Sequence, residues 1–150
     1  MSDETAAVSG SSSFNEALPY LAWTIALVGM IGSMFFSVVM ELPPCDLCWY
    51  QRIALYPLVV IIAVGIAVGD GRWKWYALPL VIAGLALAGY HNLLYYGIIP
   101  EGITPCTEGV PCTARQIEWL GFITIPLMGL LSFVSLLVTL LMYRPNIKNA

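Results

Sequence analysis

Four long runs of apolar residues, separated by short polar segments, make up most of the chain. The runs cover residues 18–40, 48–69, 76–98 and 119–143. About 20 consecutive apolar residues are enough for a helix to cross the hydrocarbon of a bilayer. The pattern therefore predicts an all-α membrane protein, in which residues 18–143 form a bundle of four transmembrane helices.

Prolines and polar residues mark the predicted helix ends. Residues 1–17 are rich in Ser, Ala, Gly and acidic residues and contain no Lys or Arg, and we expect a disordered cytoplasmic tail there. Pro43 and Pro44 should end the first helix, because proline cannot continue a helix and its predecessor avoids the α region. Pro126 is expected to kink the fourth helix, and residues 144–150 to form a second cytoplasmic tail.

The composition agrees with this membrane interpretation. Hydrophobic residues make up 59% of the chain and charged residues only 10%, with a mean hydropathy of +0.83. Soluble domains carry about 25% charged residues, so this chain cannot cover itself with an ordinary aqueous surface. The net charge is −3 and no basic patch indicates a nucleic-acid partner.

The orientation follows from the positive charges in the loops, which are more frequent on the cytoplasmic side. Four of the six Lys and Arg residues fall on the face of the two termini and the middle turn, namely Arg72, Lys74, Arg144 and Lys148. Arg52 and Arg115 fall on the other face. We therefore expect both termini in the cytoplasm of a cell-membrane protein and the two cysteine-bearing loops outside.

Cys45 and Cys48 form a Cys-x-x-Cys pair immediately before the second apolar run. At a helix N-terminus this spacing allows the sulfurs to bond, and the helix end stabilises the thiolate formed on reduction. Arg52 lies four residues beyond Cys48, on the same helical face, and favours the same thiolate. The spacing therefore favours a redox dithiol over a structural disulfide or half of a zinc site.

Cys106 and Cys112 form a looser pair between the third and fourth runs, with Gly109 available for a turn. Taken alone, this pair is more typical of a loop staple. Helices that alternate in direction bring both pairs to one face of the membrane, and two facing dithiols indicate electron transfer. Even numbers of cysteines in loops also favour a disulfide-permissive compartment.

His91 is the only histidine and falls within the third predicted helix, roughly 12 Å from its cysteine-side end at 1.5 Å per residue. Ionisable groups at such depth usually face the bundle interior and mark a functional path. The alternative is an imidazole that is simply hydrogen-bonded to Asn92, Tyr90 or a neighbouring helix.

The string Cys-Asp-Leu-Cys-Trp-Tyr-Gln-Arg at residues 45–52, with two more cysteines between the third and fourth runs, resembles the DsbB family. These proteins, with their BdbC-type relatives, are membrane quinone:disulfide oxidoreductases. The resemblance implies a four-helix bundle and a quinone, ubiquinone or menaquinone, between the first loop and the second and third helices. By position, Cys48 would be the thiolate that meets the quinone, and Cys45 its partner.

Further roles are implied by the same resemblance. Arg52 would hold the thiolate and a quinone carbonyl, with His91 near the ring and Gln51 among the cofactor-binding residues. Cys106 would exchange disulfides with a soluble, DsbA-like thioredoxin-fold oxidase, and Cys112 would pass electrons to Cys45. Familiar family members place many more than five residues between the last two cysteines, so the order of these two cysteines stays open.

A comparison of potentials explains why such a pathway needs a quinone. The partner's disulfide in this pathway lies near −120 mV, whereas glutathione-buffered compartments lie at roughly −180 to −210 mV. Oxidising the partner from that pool would be uphill by about 80 mV, or roughly 4 kcal/mol for two electrons.

Two other interpretations fit parts of the pattern. A non-enzymatic tetraspan membrane protein could use both pairs as structural loop disulfides. An epoxide reductase of the vitamin K type shares the architecture, but its Cys-x-x-Cys lies in a late helix. No resident metal is expected, because a four-thiolate zinc site would more naturally use two Cys-x2–4-Cys knuckles.

Overall fold

The computed structural model describes residues 2–100, 111–112, 118–119 and 123–144; for residues 2–12 and for 118, 119 and 123 it describes the backbone alone. The helices are α1 (Ser2–Met34), continued by a π-helical turn (Phe35–Val39), α2 (Asp46–Val68), α3 (Trp73–Tyr95) and α4 (Ile125–Met142). Two short strands, β1 (Glu118–Trp119) and β2 (Ile123–Thr124), pair antiparallel just before α4.

Four helical segments of the described chain are long and apolar enough to cross a membrane. They are Ser13–Val39, Asp46–Val68, Trp73–Tyr95 and Ile125–Met142. The predicted four-helix membrane fold is therefore confirmed.

The helices pack as a ring: each helix contacts the next one along the chain, and α4 contacts α1. The interior is filled by small, branched and aromatic residues from all four helices: Ala22, Ala26, Leu58, Ile62, Val81, Phe133 and Leu136. The outer faces keep large apolar side chains exposed, as at Val60 and Leu141. Such an apolar exterior is what a lipid environment requires.

Two glycines allow close helix contacts. The ring of Phe133 on α4 occupies the space that a side chain at Gly84 on α3 would need. Trp73 occupies the equivalent space at Gly65 on α2. Gly69 instead ends α2 in the left-handed conformation, with φ of 70°.

Three expectations about the helices differ from the structure. The helical backbone of α1 begins at Ser2, inside the segment for which a disordered tail is expected, and no proline interrupts it before Pro19. The expected kink at Pro126 is wrong, because this residue lies in the first turn of α4, where its missing N–H costs no helical hydrogen bond. The Thr124 hydroxyl caps this end by accepting from the Leu127 amide at 3.4 Å, so α4 begins at Ile125 instead of near Trp119.

Candidate redox site at the cysteine end of the bundle

The first cysteine pair is built by the N-terminus of α2. Cys45 is the N-cap residue in an extended conformation, and Cys48 lies in the first helical turn. Their Sγ atoms are 3.0 Å apart and both thiols are free. Cys45 is buried and Cys48 half-buried, so the dithiol is held ready to close while only one sulfur remains partly accessible.

His91 on α3 joins this pair to the second cysteine loop. Its Nδ1 atom accepts a hydrogen bond from the Gln51 side-chain amide at 3.0 Å. Since Nδ1 is the acceptor in this contact, the ring proton is assigned to Nε2. Nε2 donates to the Cys112 carbonyl oxygen at 3.2 Å and lies 3.8 Å from Cys45 Sγ. The imidazole is only 2% exposed, so it contacts both cysteine loops in a buried setting.

Cys112 belongs to the same buried cluster as Cys45, together with Leu47 and Leu94. It is disulfide-bonded and 4% exposed. Cys106 and Arg115 lie outside the described residues. The expected meeting of the two cysteine loops at one end of the bundle is thus observed for Cys45 and Cys112.

The thiol of Cys48 holds the pKa of Cys45 at about 4, because it hydrogen-bonds the Cys45 sulfur. Burial opposes this effect, and the hydrogen bond from His91 reinforces it. The reduced pair therefore keeps one proton between two sulfurs, with the thiolate on Cys45. If that proton moved from Cys48 to Cys45 across the 3.0 Å between the two sulfurs, the negative charge would then lie on Cys48.

Arg52 is buried, at 8% exposure, and binds α1 through its guanidinium. It donates to the Ser33 hydroxyl at 2.7 Å, the Ser33 carbonyl oxygen at 2.9 Å and the Ser37 hydroxyl at 3.0 Å. Its guanidinium carbon also lies 5.2 Å from the centre of the Trp49 ring. Among the residues with described side chains, no carboxylate pairs with it. A buried cation without an anionic partner is a site that favours electron-rich ligands.

Ser33 and Ser37 flank the start of the π-helical turn of α1. A π-helical turn interrupts the normal pattern of backbone hydrogen bonds and is frequent at functional sites. Here the Ser33 carbonyl accepts from both Arg52 and the Ser37 hydroxyl. Ser33, at the end of the regular helix, and Ser37, within the irregular turn, therefore present the oxygens that hold the guanidinium.

A cavity of about 480 Å³ opens beside this dithiol. Its polar lining includes Ser33, Cys48, Gln51 and Arg52, and its apolar wall includes Ile25, Val28, Phe36, Leu42, Met128 and Leu131. Val28 and Leu131 are also exposed on the outer face of the bundle. A mostly apolar cavity with a few converging polar groups is the usual form of a small-molecule site.

The cavity differs in one respect from the location implied by the resemblance. Its lining comes from α1, the first loop, α2 and α4, with no contribution from α3. Cys48, Gln51 and Arg52 line it, whereas His91 lies behind Gln51 and contacts the cysteines instead. Gln51 therefore separates the cavity from the imidazole.

Gln51 fits because α4 carries no side chain opposite it. A Cβ atom at Gly129 would lie 2.7 Å from the Gln51 Oε1 atom. Sequence reasoning missed this glycine and the two serines. The spacing of Ser33 and Ser37, one helical turn apart in an apolar run, was the available signal for the serines.

A family model described as Disulfide bond formation protein DsbB matches residues 15–143 of the chain. The chain belongs to the DsbB family. Membership makes it a membrane disulfide oxidoreductase. This argues against the non-enzymatic tetraspan alternative.

Relatives of this DsbB-family chain come from several bacteria. Disulfide bond formation protein C of Bacillus subtilis (strain 168) is 44% identical over 119 residues, which cover 79% of this chain and 86% of the relative. Probable disulfide formation protein C 2 of Bacillus cereus (strain ATCC 10987 / NRS 248) is 43% identical over 118 residues, which cover 79% of this chain and 84% of the relative. Probable disulfide formation protein of Metapseudomonas resinovorans is 38% identical over 125 residues, which cover 83% of this chain and 87% of the relative. No solved structure matches the chain significantly.

Proposed function

We propose that this protein re-oxidises a soluble thioredoxin-fold disulfide donor and passes the electrons, through its two cysteine pairs, to a membrane quinone. The single observation that carries the proposal is the position of Cys48. Its sulfur is 3.0 Å from Cys45 and borders a largely apolar cavity that Arg52 also lines. An oxidant dissolved in the membrane can reach the dithiol there.

The residues of the cavity fit a quinone of the ubiquinone or menaquinone class. Arg52 and the amide of Gln51 offer hydrogen-bond donors to carbonyl oxygens, and the apolar wall suits a ring and its prenyl chain. A bound quinone would accept the two electrons and the one proton that are released when the Cys45–Cys48 disulfide forms from its singly protonated pair, and it would take its second proton from solvent. Arg52 would stabilise negative charge at the cavity, since it has no carboxylate partner among the described side chains.

The burial of Cys45 and Cys112 suggests an order for the disulfide exchange between the two cysteine pairs. In the proposal, the partner's dithiol reduces a Cys106–Cys112 disulfide, and the partner leaves oxidised. The Cys112 thiolate then attacks Cys45 of the Cys45–Cys48 disulfide and releases the Cys48 thiolate. Cys106 then attacks the Cys112 sulfur of the mixed disulfide as its proton passes to the Cys48 thiolate, which restores the second disulfide and releases the Cys45 thiolate. The burial of Cys112 beside Cys45 supports this order, because a buried sulfur is poorly placed for a soluble partner.

Proton movement inside the dithiol completes the sequence. The Cys45 thiolate is stabilised by Cys48 and His91. Transfer of the Cys48 proton to Cys45 places the thiolate at the cavity, next to Arg52. Formation of the Cys45–Cys48 disulfide then releases the remaining proton and two electrons. In the cell membrane, both cysteine loops would face the extracytoplasmic side, where the partner works, and both termini would face the cytoplasm.

Anaerobic absorbance of the purified protein with added ubiquinone or menaquinone and a reduced thioredoxin-fold oxidase tests the proposal. We expect quinone to disappear in proportion to the partner oxidised. Cys48→Ser should abolish this loss, and Arg52→Ala should slow it at least about 10-fold if one charged hydrogen bond of about 1.5–3 kcal/mol is lost. Tyr50→Phe, an exposed neighbour, is the matched control. Normal quinone reduction by the Cys48→Ser protein would refute the assigned role.

A further inference from the structure

Three potential metal ligands converge at the first cysteine pair. The Sγ atoms of Cys45 and Cys48 and a ring nitrogen of His91 all lie within 4.8 Å of one another. Two of these residues come from the start of α2 and the third from α3, so the grouping is created by the fold and not by the Cys-x-x-Cys spacing alone. The disulfide exchange proposed above needs no metal at this place.

The separations are close to those of a tetrahedral zinc site. Zn–S bonds of about 2.3 Å and Zn–N bonds of about 2.0–2.1 Å place tetrahedral ligand atoms roughly 3.5–3.8 Å apart. Cys45 Sγ and His91 Nε2 are already 3.8 Å apart, and the two sulfurs are 3.0 Å apart. The sulfurs would have to separate by less than about 1 Å, and Cys48, which is half-buried beside the cavity, has space for the rotation that this requires.

We propose that the reduced Cys45–Cys48 pair and His91 form an exchangeable Zn²⁺ site, which holds the protein in its reduced, inactive form. Three protein ligands and one open position are the pattern of accessible zinc sites, in contrast to the closed four-ligand structural sites. Two thiolates neutralise the charge of the ion, which matters because Arg52 already places a positive charge nearby. With both sulfurs coordinated, neither can form a disulfide.

Coordination requires two proton movements. The Cys48 thiol loses its proton to solvent as its sulfur binds the ion, and metal binding therefore becomes weaker as the pH falls. The His91 proton moves from Nε2 to Nδ1, which frees Nε2 as a ligand at the expense of its hydrogen bond to the Cys112 carbonyl. Rotation of the Gln51 amide then turns its oxygen toward the Nδ1 proton. Gln51 would thus orient the His91 ring through a hydrogen bond to the nitrogen that does not bind the ion, as the hydrogen-bond partners of zinc-bound histidines do.

The site is controlled by the redox state of the same sulfurs. A Cys45–Cys48 disulfide removes both thiolates, so the oxidised protein loses the site completely. Zinc binding is therefore a property of one half of the catalytic cycle. This inference does not depend on the identity of the electron acceptor, and a failed quinone assay would leave it standing.

The test uses the full-length protein in detergent with Cys106→Ser and Cys112→Ser, so that Cys45 and Cys48 are the only thiols. The reduced protein is titrated anaerobically with Co²⁺, and the bound Co²⁺ is then displaced with Zn²⁺. We expect one Co²⁺ per chain with the intense visible absorption of a tetrahedral thiolate site, and no such absorption after oxidation of the pair. In the protein with all four cysteines, Zn²⁺ should stop oxidation of the reduced pair, and a chelator should restore it.

Variants distinguish a zinc site with three defined ligands from nonspecific binding of the ion by the two thiols alone. His91→Phe should weaken Zn²⁺ binding more than about 100-fold, beyond the 10–100-fold effect typical of outer partners, whereas Gln51→Ala should fall within that range. Tyr90→Phe, the neighbouring residue, is the control and should bind normally. If His91→Phe does not fold, Cys45→Ser in the same background provides the test and should abolish the absorption. An octahedral spectrum, binding by the oxidised protein, or unchanged affinity in these ligand variants would overturn the proposal.

Discussion

Arg52 and Ser33 form a two-point contact between α2 and α1. The guanidinium donates from Nε to the Ser33 hydroxyl at 2.7 Å and from Nη2 to the Ser33 carbonyl at 2.9 Å. The π-helical turn that follows Ser33 adds the Ser37 hydroxyl at 3.0 Å. The position of the charge at the cavity is therefore set by α1 as much as by the helix that carries the arginine.

Replacing both serines by alanine should loosen this cation without removing it. Hydrogen bonds to charged groups contribute about 1.5–3 kcal/mol, so we expect Ser33→Ala/Ser37→Ala to slow quinone reduction about 10-fold or more. The measurement is steady-state quinone reduction at several quinone concentrations, which separates KM from kcat. Thr139→Val is the matched control, because this hydroxyl bonds to the Ser135 carbonyl of its own helix and is not among the residues that line the cavity. An unchanged rate in the double variant would show that these contacts do not position Arg52.

The reactivity of the reduced dithiol should extend to unusually low pH. With its pKa near 4, Cys45 is a thiolate above about pH 5, and the thiolate is lost as the pH falls through 4. An ordinary thiol would react only as the pH rises toward its pKa near 8.5. Because the Cys45 sulfur is buried, the measurement is the ultraviolet absorbance of the thiolate in the reduced protein, with Cys45→Ser as the reference, and we expect it to be nearly constant from about pH 8 down to about pH 5.

His91→Phe removes one of the causes that lower the pKa of Cys45. The pH at which the thiolate absorbance is half-maximal should therefore rise in this variant, while Tyr90→Phe leaves it in place. A thiolate absorbance that increases steadily between pH 6 and about pH 9 in the unmodified protein would contradict the assignment of the thiolate to Cys45.

Gly129→Ala should separate Gln51 from His91. The added methyl group would lie 2.7 Å from the Gln51 Oε1 atom, and the amide must move away from the imidazole. Loss of one hydrogen bond of about 1 kcal/mol corresponds to roughly a 5-fold effect, which we expect in the rate of exchange between the two cysteine pairs, followed by rapid thiol trapping. In a Gln51→Ala background the same glycine substitution should have little further effect, because coupled residues are not additive. Equal effects in both backgrounds would rule out this route.

Gly84→Ala tests a close contact between α3 and α4, where the Phe133 ring fills the space next to the glycine. Overpacking of a tight core typically costs about 1–3 kcal/mol, and the thermal unfolding temperature in detergent should fall accordingly. Phe133→Leu should recover part of the loss. Gly89→Ala on the same helix meets no atom within 4 Å and should leave the unfolding temperature unchanged.

The sequence predicted the number of helices, the meeting of the cysteine loops and the residues around Cys48, since apolar run length and residue spacing are local properties. The start of α4 could not be read correctly. Ile123 and Trp119 belong to an apolar run, yet their backbones pair as strands, and periodicity does not distinguish these states in short segments.

The division of roles between Gln51 and His91 was also beyond sequence reasoning. Both face the same end of the bundle, but only the relative rotation of α2, α3 and α4 decides which one borders the cavity. That rotation depends on space left by glycines such as Gly84 and Gly129, which becomes visible only once the helices are packed.

The cavity wall shares Val28 and Leu131 with the outer surface of the bundle. A molecule that enters between them comes from the acyl-chain layer and never has to leave it. Turnover would then follow the mole fraction of the oxidant in the lipid, so dilution with extra phospholipid should slow the protein even when the total amount of oxidant in the sample is constant.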